Sequence, residues 1–193
     1  MFEPCRTGDP GGPAAYDSQT FGPLRFQRKL LNSFGHPVPV LAGQLQIEAT
    51  KASPTVLSTA FGSDGDEIKM DITSSYNVPA LEKLIRTMDY SRKGTGSVTI
   101  SDEVTFHAAS QFEDVLITDG TWKQLDDHTI LLAMGKSVLR VSIQTPTGFT
   151  VRSERVQEMG APAFFHIGLV LNKPVTNATV TMTFQPQPQN PRP

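Results

Sequence analysis

Four histidines and a scatter of carboxylates are the residues here that could do chemistry, and one histidine stands in an unusual setting. His36 lies in Phe34-Gly35-His36-Pro37-Val38-Pro39. Two prolines fix the backbone there, and a glycine permits close approach of another chain segment. A stiff loop loses little entropy when it holds an imidazole in one geometry, which suits a ligand or a catalytic group. The same residues suit a histidine that merely caps a strand bend. Asp9 sits in Gly8-Asp9-Pro10-Gly11-Gly12, where a carboxylate most often just forms the turn. Carboxylate and imidazole are nevertheless a common ligand pair for Zn²⁺ or a similar divalent ion. A stable site takes about three or four protein donors, so Asp9 and His36 would make an incomplete one. GDPGG is no phosphate loop, because it lacks the Lys-Ser/Thr ending and no helix follows it.

The remaining polar residues read more plainly. His166, in AFFHIGLVL, fits a satisfied histidine of a buried strand. His107 and His128 read as surface residues, and Asp126, Asp127 and His128 could gather a cation, though a solvated turn explains them equally well. Asp64, Asp66 and Glu67 form another acidic turn. Arg25, Arg28 and Lys29 could meet an anionic glycan or be an ordinary wet face. Trp122 could stack on a sugar, but a lone Trp is more often core. No G-x-S-x-G is present, Cys5 has no evident activating base, and no paired carboxylates lie in apolar settings.

The whole composition narrows the field. Among 193 residues, 17 basic and 19 acidic side chains give a net charge of −2, so no broad positive field exists to hold nucleic acid. No apolar run approaches the roughly 20 residues that a membrane helix needs. One cysteine excludes an internal disulfide framework. MFEPCRTGDPGG lacks the basic start and apolar stretch of a secretory leader. Fifteen Gly and fifteen Pro favour turns over long helices.

The elements that must position these residues are extended. Residues 1–23 are a Gly/Pro-rich segment, expected to form part of the sandwich edge and the metal-site loop. Leu24 to Leu31 and Val38 to Ile47 read as strands, with Gly43 as a bulge or turn. Glu67 to Ser74 places Ile68, Met70 and Ile72 on one face and Lys69, Asp71 and Thr73 on the other, the mark of a sheet with one wet face. Leu84 to Ser91 and Gly96 to Phe106 flank the hairpin signal RKGTG. Further strands are expected at Thr55 to Phe61, Phe112 to Ile117, Thr129 to Met134, Ser137 to Gln144, Phe149 to Val156, Ala163 to Leu171 and Val175 to Phe184. A short helix is expected over Pro79 to Leu84. The pattern is all-β, a large antiparallel β-sandwich of about 10–12 strands over residues 24–185, with a disordered tail at 186–193.

The run GDPGG…Tyr16…Thr20-Phe21…Arg25-Phe26…Leu31-Asn32-Ser33-Phe34-Gly35-His36-Pro37-Val38-Pro39…Ala42-Gly43 resembles the C-terminal region of heparinase II/III-like polysaccharide lyases. The resemblance continues through Tyr76-Asn77-Val78-Pro79-Ala80-Leu81, Val98-Thr99-Ile100-Ser101-Asp102-Glu103 and Lys173-Pro174-Val175-Thr176. It implies a supersandwich-like β-domain that in the family follows an α/α toroid. The family's substrate, an acidic uronate-containing polysaccharide, lies between the two and is cut by β-elimination. The resemblance assigns the catalytic Asn and Tyr to the toroid and a His to the start of the β-domain, and no position here matches them. It places Asp9 and His36 at two ligands of a divalent metal, with the third in an upstream His-x-His-Asn-Asp-like strand. Where family members often carry Asn after this histidine, Pro37 stands here. The implied location is extracytoplasmic. The expected entity is thus a β-domain without its toroid, inactive alone, with one sheet face left unusually apolar. The alternative is a free-standing carbohydrate-binding or interaction module, which calls for an exposed aromatic platform, with Trp122 as one member. A complete small enzyme is a third and weaker reading.

Overall fold

The computed structural model describes residues 22–158 and 161–187. Twelve strands are present among them, and every pairing is antiparallel. In chain order they are β1 (Val40–Leu41), β2 (Thr55–Phe61), β3 (Gly65–Asp71), β4 (Leu81–Ser91), β5 (Ser97–Ser110) and β6 (Phe112–Thr118). Then follow β7 (Thr121–Asp126), β8 (Thr129–Met134), β9 (Ser137–Gln144), β10 (Phe149–Val156), β11 (Phe164–Leu171) and β12 (Val175–Pro186). One sheet has eight strands in the order β2-β3-β4-β5-β12-β9-β8-β7. The other has four, β1-β6-β11-β10. The all-β sandwich expected from the alternating pattern is therefore the fold observed.

Alternation sets which side chains meet between the sheets. On β4, Leu84 and Met88 face inward, on β5 Ile100 and Val104, on β6 Phe112 and Leu116. The interior forms two apolar clusters. One holds Leu41, Leu84, Val104, Phe112, Leu171 and Val180. The other holds Ile100, Leu116, Ile130, Val141, Ile167 and Met182. Arg86, Asp102 and Asp114 occupy the inward positions between these clusters on β4, β5 and β6. A third cluster lies on the other face of the small sheet, where Leu30, Phe34 and Val40 pack on Val115, Ile117, Val156 and Phe164.

Several sequence expectations change. Leu24 to Leu31 is not a strand. Pro23–Gln27 is a 3-10 turn with Pro in its first turn, where its fixed φ fits, and it closes through the Arg28 N–H to the Arg25 carbonyl at 3.1 Å. Of Val38 to Ile47 only Val40–Leu41 pairs as a strand. Ala42 (φ 49°) and Gly43 (φ 74°) turn the chain so that the Gln44 N–H reaches the Leu41 carbonyl at 2.8 Å. The helix expected at Pro79 to Leu84 is instead a turn leading into β4. A β-bulge between Leu81 and Lys83 brings both Leu81 and Leu84 against the core, which imitates helical spacing. β7 was hidden from pattern reading because its residues are mostly exposed and mixed in character. β12 runs to Pro186, two residues past its expected end at Phe184.

The outer face of the large sheet is hydroxylated rather than apolar. Thr99 and Thr183 meet at 3.2 Å and Ser101 and Thr181 at 2.9 Å across β5 and β12. The exposed apolar residues gather instead at the β2 edge, in Val56, Leu57 and Phe61.

Candidate functional site

The segment that carries His36 lies against the outer face of the small sheet, and its side chains are tied down in sequence. Arg28 Nε donates to Glu158 Oε2 at 3.0 Å, and the Leu30 N–H donates to Glu158 Oε1 at 3.3 Å. Lys29 pairs with Glu154 and places its Nζ 4.6 Å from the centre of the Phe34 ring. Arg28 and Lys29, two of the three cations that could have met an anionic glycan, are thus already neutralised. Asn32 caps the next 3-10 turn, its Oδ1 accepting from the Phe34 N–H at 2.9 Å. Gly35 is buried, and a Cβ there would lie 2.6 Å from the Lys29 carbonyl oxygen. No larger residue fits without moving the loop.

His166 on β11 is the support beneath. Its ring stacks on Phe34, with centroids 3.9 Å apart and planes 12° apart. Its Nδ1 donates to the Phe34 carbonyl at 2.8 Å, which fixes the tautomer, since a carbonyl only accepts. Its Nε2 lies 3.4 Å from Glu113 Oε1. The reading of His166 as a satisfied, buried histidine holds.

His36 follows, extended at φ −124° and ψ 148°, with its N–H donating to the Ser33 carbonyl at 3.3 Å. The two prolines beyond it are gripped from inside the sandwich. Arg86 Nη1 donates to the Pro37 carbonyl at 2.8 Å, and the Tyr76 hydroxyl donates to the Pro39 carbonyl at 2.7 Å. Proline lacks an N–H, so its carbonyl is the one backbone group by which such a loop can be held.

Arg86 can reach out because Asp102, its cross-strand neighbour, holds the rest of it. Arg86 Nε donates to Asp102 Oδ1 at 2.8 Å and Nη2 to Oδ2 at 2.6 Å, a two-pronged pair with Asp102 fully buried. A second carboxylate, Asp114, lies 3.8 Å from Arg86 Nη2 and is also fully buried. Burial and then the Asp102 charge push the Asp114 carboxyl well above the usual carboxylate range. One cation faces two buried carboxylates, and low dielectric favours the neutral form of the one that Arg86 does not grip. Asp114 Oδ1 accepts from the Val115 N–H at 2.8 Å, while Oδ2 has no hydrogen-bond partner. An orphaned oxygen costs far less on a neutral carboxyl than on a charged one. Burial also raises the Tyr76 hydroxyl far above its usual value, so it remains a donor.

Of the two expected metal ligands, His36 is placed and half-buried, whereas Asp9 lies outside the described residues. Among the described residues no group of three His, Cys, Asp or Glu side chains converges. The described donors alone do not fit a closed metal site. His107 sits near Glu82 at 3.4 Å on the surface, and the His128 N–H donates to Asp126 Oδ1 in its turn at 2.8 Å. Trp122 packs partly buried against the second apolar cluster. The exposed aromatics among the described residues are Phe61, Tyr90 and Phe26, at 76%, 43% and 38% exposure. No helix among the described residues is long and apolar enough to cross a membrane. Sequence reading did not single out the roles of Arg86, Asp102 and Asp114. Their signal was one charged residue at the inward parity of each of three apolar strands.

No family model and no curated protein sequence significantly matches the chain. Solved structures do. The heparinase III BT4657 gene product superimposes with a TM-score of 0.67 at 16% identity, over 86% of this chain and 26% of that one. Another heparinase III gives 0.62 at 15%, over 89% of this chain and 26% of that one. The heparan sulfate lyase HepC from Pedobacter heparinus gives 0.63 at 12%, over 97% and 28%. The fold is heparinase-like. This chain spans about a quarter of the length of those structures.

Proposed function

We propose that this chain is the β-sandwich domain of a heparinase-like polysaccharide lyase and forms one wall of a cleft for an acidic, uronate-containing glycan. The observation that carries the reading is the likeness to HepC across 97% of this chain at a TM-score of 0.63, against 28% of that longer protein. β-Elimination needs a base for the proton beside the uronate carboxyl group and neutralisation of that carboxylate. In this reading these roles fall to a separate α/α toroid and to a histidine at the start of the β-domain that no position here matches. The sandwich alone binds and orients rather than turns over. Purified chain incubated with heparan sulfate is expected to release no unsaturated uronate, as followed by its ultraviolet absorbance. Turnover by this chain alone overturns the reading.

Asp9 and His36 are proposed as two donors to a divalent ion, with the third supplied from outside the chain. The rigid mount of His36 supports that assignment, because the loop is gripped through Pro37 and Pro39. Such an ion would neutralise charge and fix the loop. Two donors give weak affinity. Calorimetric titration with Zn²⁺ is expected to show weak binding that His36→Ala abolishes. Tight single-site binding, or binding indifferent to His36→Ala, contradicts it.

A second reading, a free-standing carbohydrate-binding or interaction sandwich, draws on the exposed Phe61 and Tyr90 rings. Retention on an immobilised glycan that Tyr90→Ala removes would favour it over the lyase domain.

A further inference from the structure

Two fully buried carboxylates, Asp102 and Asp114, face one buried guanidinium, that of Arg86. A dry interior disfavours that surplus negative charge, so one proton stays on the pair. The hydrogen bonds say which carboxyl keeps it. Asp102 has each oxygen on a nitrogen of Arg86, at 2.8 and 2.6 Å. Asp114 has Oδ1 on the Val115 N–H, and its Oδ2 is buried with no partner among the described residues. The proton therefore belongs to Asp114. Few groups face it: Arg86 from β4, Asp102 from β5 and Tyr76 from the segment before β4, while its neighbour Leu169 on β11 is apolar.

Arg86 has a third task. Its Nη1 donates at 2.8 Å to the carbonyl of Pro37, one residue past His36. A guanidinium is a rigid planar fork, so one prong cannot swing without the others. Nη2 stands 3.8 Å from Asp114 Oδ1, about 1 Å beyond a charge-assisted hydrogen bond. Closing that gap carries Nη1 away from Pro37. We infer that Asp114 is the trigger of a pH-sensitive catch on the His36 loop: while Asp114 is protonated Arg86 holds Pro37, and once that proton is lost to solvent Arg86 turns to Asp114 and lets Pro37 go. Burial and the Asp102 charge hold the Asp114 carboxyl well above the usual carboxylate range, so release comes on the alkaline side of that raised value. The Tyr76 hydroxyl, kept a donor by its burial, holds Pro39 in both states, and the loop pivots there. Protonation thus biases a two-state element, pinned or free. As regulation of a metal donor this rests on the role proposed for His36. The movement of the loop does not, and its test contains no ion.

Carbon-13 NMR of the full chain, followed from acid to alkaline pH without metal, tests this. The Asp114 carboxyl carbon is expected to titrate well above the exposed aspartates. The Pro37 carbonyl carbon is expected to shift with the same midpoint, and the Pro39 carbonyl carbon to stay in place. In Asp114→Asn, whose amide does not ionise, the Pro37 shift is expected to be lost. Circular dichroism checks that this variant folds. If it does not, the comparison of the two wild-type midpoints decides alone. A Pro37 signal that stays still while Asp114 titrates overturns the inference. So does a Pro37 shift that persists in Asp114→Asn. An Asp114 carboxyl that titrates with the exposed aspartates, or keeps its proton until the chain unfolds, overturns it as well.

Discussion

Asp114 shares one guanidinium with a better-placed competitor. Asp102 takes both prongs of Arg86, and Asp114 is left with a contact at 3.8 Å and full burial. Its carboxyl, raised above the ordinary value of 3.8, keeps its proton in the folded state after the unfolded chain has lost it. The folded state then binds more protons than the unfolded one, so this group's contribution to stability is full below pH 3.8 and falls as pH rises towards the folded value. The slope reaches at most about 1.4 kcal/mol per pH unit. Asp114→Asn removes the titration, so its stability relative to wild type is expected to climb from about pH 4 upward in urea unfolding series. A constant difference between the two proteins would show that Asp114 ionises normally. Arg86 is expected to be costlier to lose. Arg86→Met strands a buried Asp102 charge and frees the Pro37 carbonyl, for a loss of about 3–5 kcal/mol by urea midpoint. Adding Asp102→Leu is expected to restore most of that loss, since a matched apolar pair serves as well as a buried ion pair.

At the scale of elements, Gly35 decides the geometry of the His36 loop. A Cβ would meet two carbonyl oxygens, of Lys29 at 2.6 Å and Leu30 at 3.0 Å. Gly35→Ala is therefore expected to cost about 1–3 kcal/mol and to displace the loop, visible as shifted NMR signals for His36 and His166. Several strands were legible beforehand from composition and turn signals alone: β2, β8, β9 and β10 have the bounds the sequence led one to expect. Misreadings came from places where a nonlocal feature broke the rhythm. The bulge after Leu81 turned a strand into an apparent helix, and Pro23 turned an apparent strand into a 3-10 turn. The candidate site was legible only at its tip. His36 stood out through its prolines. The groups that grip those prolines lie 37 and 49 residues away, and Arg86 is aimed at its proline by cross-strand pairing with Asp102.

Over the whole molecule, the two sheets differ in width, four strands against eight, and strand counting along the sequence cannot foresee this. Between the two clusters, the inward positions of β4, β5 and β6 are occupied by the charged rung of Arg86, Asp102 and Asp114, flanked on either side by apolar side chains. Hydrophobic alternation forbids slippage by one residue, because it would turn the oily side outward, yet it is blind to slippage by two. After such a misthreading, Leu, Ile and Val would still face Leu, Ile and Val. Arg86 alone would object, finding Ile100 or Val104 where its carboxylate should be. The charged rung thus acts as a proofreading mark for how β4 and β5 align. Its apolar replacement, Arg86→Met with Asp102→Leu, is expected to yield a stable sandwich that has forgotten its alignment, seen as doubled amide signals along these two strands.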